Sequence, residues 1–332
     1  MVDLYPLRMA PYFSERVWGT RDLSPYFTAP GTEPIGEVWL TGDDCKVIDG
    51  PLAGSSLAEL SYRFQRQLVG ESAPEPNRFP LLTKFLFPHQ KLSVQVHPDD
   101  EAARCIGQPW GKTECWYVLH AVAGAQIGLG LKPGTTKAEF ERAIHETRAE
   151  ELLNWVDLEA GDMIFVDAGT VHTIGPGSVL VETQQSSDTT FRLYDFGRPR
   201  ELHVKQGLDA MKELTRAGKV APEVQDEFNT LLISNPYFRV NKYHLRGGQG
   251  QLLRASQQEA RDRSVEIIVG LQGAGMLDAR GHTPVLFGGG EAVVIPAAIE
   301  EFMVRGQREV EFLTMTVPPK TEFSAAQQSP RD

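Results

Sequence analysis

Short runs rich in Val, Ile, Leu, Phe, Trp and Thr recur along the whole chain, with Gly, Pro, Asn or Asp close beside them. In the first two thirds they are FPLLTKFLF (79–87), KLSVQVH (91–97), ECWYVLHAV (114–122), DMIFVDA (162–168) and SVLVETQQ (178–185). The last third repeats the style in YFRVNKYHL, VEIIVGLQ, EAVVIPA, EFMVRG and VEFLTMTV. Many short strands with frequent Gly/Pro turns constrain the chain to a β-sandwich or jelly roll. A length of 332 residues accommodates two such domains.

Three helical segments interrupt the strands. Ser56-x-x-Glu59 reads as a capping box ahead of Leu57, Leu60, Phe64 and Leu68, with Gly70 placed as the glycine after the helix. Thr136-x-x-Glu139 opens a second helix carrying Phe140 and Ile144 on one face. A third is predicted from about Val204, with Leu208, Met211 and Leu214 on one side and Gly218 after its end. All three are expected to cover sheets rather than take part in chemistry. The last dozen residues, TEFSAAQQSPRD, are polar and are expected to fray.

Hydrophobic content of 41% and charged content of 23% are those of a soluble globular protein. No apolar run approaches membrane-spanning length, and the N-terminal segment, with Arg8, Glu15 and Arg16, has no signal-peptide core. The expectation is a cytoplasmic protein with no membrane partner. A net charge of −11 and the lack of any Lys/Arg block disfavour nucleic acid. An anionic small molecule is still compatible, because local field matters more than the total. Cys45, Cys105 and Cys115 are odd in number and widely spaced, as reduced thiols are.

The chemistry concentrates on three of the strand runs. Gln95 and His97 are two residues apart, so on a strand both side chains leave from one face. Glu114 begins the next strong strand, and its neighbour Cys115 must then point the other way. His172 follows Gly161-x5-Asp167-x-Gly169, where a second glycine turns the chain to present it. Two imidazoles, one carboxylate and one amide oxygen form a first shell suited to one Zn²⁺, with room left for water or substrate. Fe²⁺, Co²⁺ or Mn²⁺ would suit the same set. The competing reading is that each histidine is a hydrogen-bonded, half-buried side chain, and His89, His120, His145, His203, His244 and His282 are left to it. Lys84 lies inside an apolar run, where a buried ammonium needs a carboxylate partner or a function. Arg192 can serve an oxyanion or form a structural pair with Asp188 or Asp195.

These segments resemble the type I phosphomannose isomerases, zinc-dependent enzymes of the bicupin class. The resemblance is carried by LSVQVHPDD, GKTE at 111–114 and GD…AGTVH…SDTTFRLYDFGR, with PYFSERVWG and IGEVW as opening segments. It runs from about residue 5 to 200, and the chain looks like the compact bacterial form. It implies an all-β bicupin: two jelly rolls with a few peripheral helices. Expected boundaries are 1–200 for a metal-binding cupin, 201–230 for a helical connector, 231–320 for a degenerate cupin and 321–332 for a tail. In the second domain Gly290 and Pro296 keep the cupin frame, but Glu301 stands where a metal histidine would be.

The resemblance further implies that Gln95, His97, Glu114 and His172 are zinc ligands. It implies catalytic roles for Arg192, Lys112 and Glu182, and substrate contacts for Lys84 and Asp188. The implied substrate is a sugar phosphate, isomerised between mannose 6-phosphate and fructose 6-phosphate through an enediolate. The alternatives are an isomerase or epimerase of another sugar, or a non-catalytic sugar-binding cupin. Two departures from the family pattern stand out. Val38 replaces a serine, which bears on substrate preference, and Asp167 replaces the cupin proline. The oligomeric state is left open.

Overall fold

The computed structural model describes residues 3–254, 262–319 and 322–323. Most of the predicted polar tail lies outside the described residues. Among the described residues the strands form three sheets, of seven, five and nine strands. The first two face each other in the N-terminal half, and the third curls into the C-terminal barrel.

The seven-stranded sheet is antiparallel and centred on Ser178–Gln185, flanked by Leu81–Leu86 on one side and Glu114–Ala121 on the other. Its residues alternate strictly between two destinations. Leu86, Trp116, Val118, Ile164 and Leu180 pack into the lumen between the sheets. Val38, Phe85, Cys115, Tyr117, Met163 and Val181 join the core shared with the C-terminal barrel. Cys115 therefore points away from Glu114, as the strand period requires. Val38 goes the same way, fully buried, so this departure from the family pattern faces the inter-barrel core and not the lumen.

The five-stranded sheet contains Val94–Val96, His172–Ile174 and Phe191–Tyr194. Its outer face is covered by helices Lys137–His145 and Val204–Ala210 through Phe140, Ile144 and Leu208. Both capping boxes form as the sequence indicates, Ser56 with Glu59 and Thr136 with Glu139.

Four expectations need correction. The first helix is two, Leu57–Phe64 and Arg66–Val69, because Gln65 takes a positive φ of 47° between them. The break lets Gly70 meet Ser264, where a Cβ would lie 2.2 Å from the Arg263 carbonyl. The third helix ends at Ala210, since the Lys212 amide is taken by the Gly169 carbonyl. Leu214 is then 92% exposed, and Gly218 opens a strand instead of capping a helix. A short helix, Asp100–Cys105, forms with Asp99 as its N-cap, beyond the three helices expected. EFMVRG and VEFLTMTV are one continuous strand, Glu301–Thr316, paired along most of its length with Glu266–Ala279.

In the C-terminal barrel, odd and even residues again part. Ile267 and Val269 face the N-terminal sheet, while Ile268, Val293 and Phe312 fill the second lumen. The N-terminal strand Leu7–Met9 pairs with Ala292–Ile295, so the chain begins in the C-terminal sheet. Glu301 begins its strand with an exposed side chain. No described helix is long and apolar enough to cross a membrane.

Candidate active site

The lumen of the N-terminal barrel opens into a cavity of about 440 Å³. Of the residues expected to bind metal, bind substrate or catalyse, all but His97 and His172 line it, and those two lie just behind Glu114.

Register places the ligand set. His172 pairs directly with Gln95, and Arg192 pairs with Gln95 from the other side. Glu114 crosses from the opposite sheet, with its oxygens 3.5 Å from His97 Nε2 and 3.4 Å from His172 Nε2. The candidate ligand atoms of His97, Glu114 and His172 all lie within 4.8 Å of one another, and each residue is almost fully buried. Two glycines make this possible. Gly169, at φ +93°, donates to the His97 carbonyl and so ties the His172 turn to the first ligand strand. Gly111 lets GKTE pass so close to Pro98 and Asp99 that a Cβ would clash at 2.5 Å.

Both imidazoles are oriented by backbone. Each Nδ1 meets a carbonyl oxygen, Thr189 at 3.0 Å for His97 and Thr170 at 2.9 Å for His172. A carbonyl only accepts, so Nδ1 carries the proton and Nε2 presents its lone pair to the centre. Burial, with the Lys112 charge next, holds His97 well below its usual range, and burial likewise lowers His172. Both rings are neutral, as metal ligands must be. His97 Nε2 and Glu114 Oε2 are buried without any hydrogen bond. Buried polar atoms left unpaired are costly, and a divalent cation among them answers for both. The residues therefore fit a metal. Gln95 is oriented differently: its Oε1 accepts from Ser93 and its Nε2 donates to His172 Nε2 at 3.2 Å. A half-turn of the amide exchanges these two ends and brings the oxygen to the centre.

Beside the ligands lies a chain of alternating buried charges. Lys112 Nζ is 3.3 Å from Glu114 and 3.8 Å from Glu182. Lys84 Nζ is 3.5 Å from Glu182 and 3.8 Å from Glu37. Lys84, Lys112, Glu114 and Glu182 are each at most 4% exposed. The carboxylate partner demanded for a buried Lys84 is thus present twice. Burial and the Glu114 charge push Glu182 up to about 7, against the pull of Lys84 and Lys112. Glu114 is driven the other way: burial raises it, but the opposing groups, the Lys112 ammonium foremost, outweigh that and lower it. Glu182 Oε1 has no hydrogen-bond partner.

Arg192 makes neither of the structural pairs considered for it. Asp195 is taken by Arg198 and Arg200, and no described carboxylate lies within ion-pair distance of Arg192. Its Nη1 donates to the Glu201 carbonyl at 2.7 Å, while its buried Nε has no partner. Asp188 lines the same cavity with an exposed side chain. Reading the sequence missed Glu37, Arg16 and Arg200, which line the cavity too. A signal existed for Glu37, since a glutamate in the apolar run IGEVW raises the same question as Lys84 in FPLLTKFLF.

Comparison with known proteins decides the family. The description "Phosphomannose isomerase type I, catalytic domain" matches residues 7–126. Mannose-6-phosphate isomerase ManA of Bacillus subtilis is 36% identical over 319 residues, which cover 92% of this chain and 97% of that protein. The chain belongs to the type I phosphomannose isomerase family. A crystal structure of the Bacillus subtilis mannose 6-phosphate isomerase superposes with a TM-score of 0.82 at 29% identity, covering 93% of this chain and 99% of the other. A zinc-bound mannose 6-phosphate isomerase shares the fold at 16% identity and a TM-score of 0.76, covering 94% and 99%. Both mannose 6-phosphate isomerase structures are spanned almost end to end, so the bicupin architecture expected from the resemblance holds.

Proposed function

We propose that this protein interconverts mannose 6-phosphate and fructose 6-phosphate, with one zinc ion held by Gln95, His97, Glu114 and His172. The observation that carries the reading is the pairing of two backbone-oriented, neutral imidazoles with an unsatisfied Glu114 oxygen, beside the buried Lys112–Glu182–Lys84 chain. When bound, the metal supplies Lewis-acid stabilisation of negative charge on sugar oxygens.

The rest falls to the chain's own residues. Conversion of the aldose to the ketose takes a proton from C2 and returns one to C1, while a proton passes from O2 to O1. Glu182 is our candidate for the carbon proton, because its carboxylate lines the cavity with one oxygen unpaired. Lys112, fixed between Glu182 and Glu114, supports charge that grows on the enediolate oxygens. Arg192 offers a guanidinium not committed to any carboxylate, suited to the same charge. Lys84 and Asp188 contact the substrate's hydroxyl groups. We keep the domain division as part of this proposal, with residues 1–200 carrying the metal, 201–230 connecting and 231–320 buttressing, although Leu7–Met9 pairs into the second sheet system and Gly218–Val220 into the first.

A metal analysis with an isomerisation assay tests this. Protein purified without chelator should hold about one equivalent of zinc, and chelation should abolish turnover of mannose 6-phosphate. Full activity without metal would sink the proposal. Comparable rates on mannose and mannose 6-phosphate would favour an isomerase of unphosphorylated sugars.

A further inference from the structure

Lys84 is shared by two carboxylates and captured by neither. Its Nζ stands 3.5 Å from Glu182 Oε2 and 3.8 Å from Glu37 Oε1, both beyond ordinary hydrogen-bond length. Coulomb attraction falls as the inverse of distance, so in one environment these two pulls differ by only about a tenth. The arrangement is a balance, and its two sides are unequally anchored.

Glu37 is pinned by groups other than Lys84. Its Oε2 accepts from Trp39 Nε1 at 2.7 Å and from Arg16 Nη2 at 3.0 Å. It leaves the strand Ile35–Trp39, which pairs with Leu81–Leu86, while Lys84 pairs across to Glu182 on the next strand. Register sets Lys84 opposite Glu182 on one side and opposite Trp39 on the other, and Glu37, paired with Leu86 two residues along, reaches Lys84 diagonally. Burial raises the Glu37 carboxyl, but Lys84, Arg16, Trp39 and Lys112 together outweigh it and hold it at about 2. Glu37 is ionised throughout and has no proton to exchange. Glu182 is held less firmly: besides Lys84 it has Lys112 at 3.8 Å and a side-chain contact with the Glu114 carboxyl, but no neutral or arginine donor such as those that pin Glu37.

We propose that Glu37 is a positioning residue: by drawing Lys84 from the side opposite Glu182, it prevents the two from closing into a tight ion pair and keeps both open to substrate. This rests on the reading of the cavity as a sugar-phosphate isomerase site. Without the counter-pull, Lys84 falls onto Glu182, and the carboxylate that should meet the substrate is occupied.

The test is a crystal structure and a kinetic analysis of Glu37→Gln in the full-length protein. Glutamine keeps the size but removes the charge. The Lys84–Glu182 separation should close to about 3 Å. The kcat on mannose 6-phosphate should fall about 10- to 100-fold, as an ångström-scale misplacement does, while KM changes less than about threefold. A purely structural role would instead lower the melting temperature and leave kcat per folded molecule unchanged. If Glu37→Gln does not fold, Glu37→Asp retains the charge but withdraws it, and should give a shorter Lys84–Glu182 distance with an intermediate kcat. A folded variant that keeps the 3.5 Å separation overturns the proposal. The distance is read without substrate. Closure of the pair in a protein whose wild type does not isomerise mannose 6-phosphate would retain the positioning role and reject the isomerase reading.

Discussion

The two barrels of this chain use the same strand alternation and fill their interiors in opposite ways. The N-terminal lumen is apolar at one end, around Trp116, Ile127 and Leu129, and charged at the other, where His97, Glu114, His172, Lys84, Lys112 and Glu182 meet. The C-terminal lumen is packed with Ile268, Phe287, Phe302 and Phe312, with Tyr243 stacked on Phe312 at 5.1 Å. Its buried carboxyl, Glu266, is 5% exposed and has Thr314 as its hydrogen-bonding neighbour. The contrast shows what buried charge requires. In the first barrel every deep charge has one of opposite sign within 4 Å, because an unpaired buried charge is prohibitive. In the second, Glu266 has no such partner among the described residues, and burial drives it up to about 7, toward the neutral form. One interior is organised for reactivity and the other for packing.

The comparison can be broken most severely at the ligands. His97→Ala and His172→Ala should each abolish isomerisation and bound metal, while circular dichroism melts shift little, because a catalytic metal is not what holds the sheets together. A large loss of stability would mean that the first lumen is also structural. Arg192→Ala should lower kcat by roughly 10²–10³-fold with a smaller change in KM, as loss of one preorganised donor does. Arg192→Lys should recover little, since an ammonium cannot reproduce the planar fork. Steady-state kinetics showing wild-type kcat would exclude a catalytic role.

In the second barrel the effects should be on stability alone. Phe312→Ala removes a fully buried ring and should cost about 3–5 kcal/mol in denaturant titrations, with metal content per folded molecule unchanged. The smallest effect concerns Glu266. Its folded value, about 7, exceeds the ordinary glutamate value of 4.5. The stability it contributes is therefore complete below about pH 4.5 and is lost as pH rises through 7, by up to about 3 kcal/mol. Glu266→Gln should flatten that decline between about pH 4.5 and 7. A variant that declines as the wild type does would place the titration elsewhere.

Much of this was legible in the sequence because it is local. Period-two alternation put Gln95 with His97 on one face and Cys115 opposite Glu114. The capping boxes at Ser56 and Thr136 needed only residues three apart. The glycine before His172 signalled its turn. Where reading failed, the deciding contact was distant. The helix from Val204 stops because Gly169 claims the Lys212 amide, and the helix from Leu57 breaks so that Gly70 can reach Ser264. Glu301–Thr316 looked like two strands, since nothing local reveals that one partner, Glu266–Ala279, pairs along most of its length.

By itself, then, the sequence determined which residue types face inward and which could bind a metal, because side-chain direction along a strand follows from backbone geometry alone. Only the tertiary structure decided which inward residues meet. Strand register set His172 against Gln95 and Lys84 against Glu182, with Glu37 reaching Lys84 diagonally from the neighbouring strand, across sequence separations that no local pattern spans. It also decided that Arg192 is free of Asp195, since two other arginines reach that carboxylate first. Electrostatic interaction depends on distance in space, and distance in space is what folding supplies.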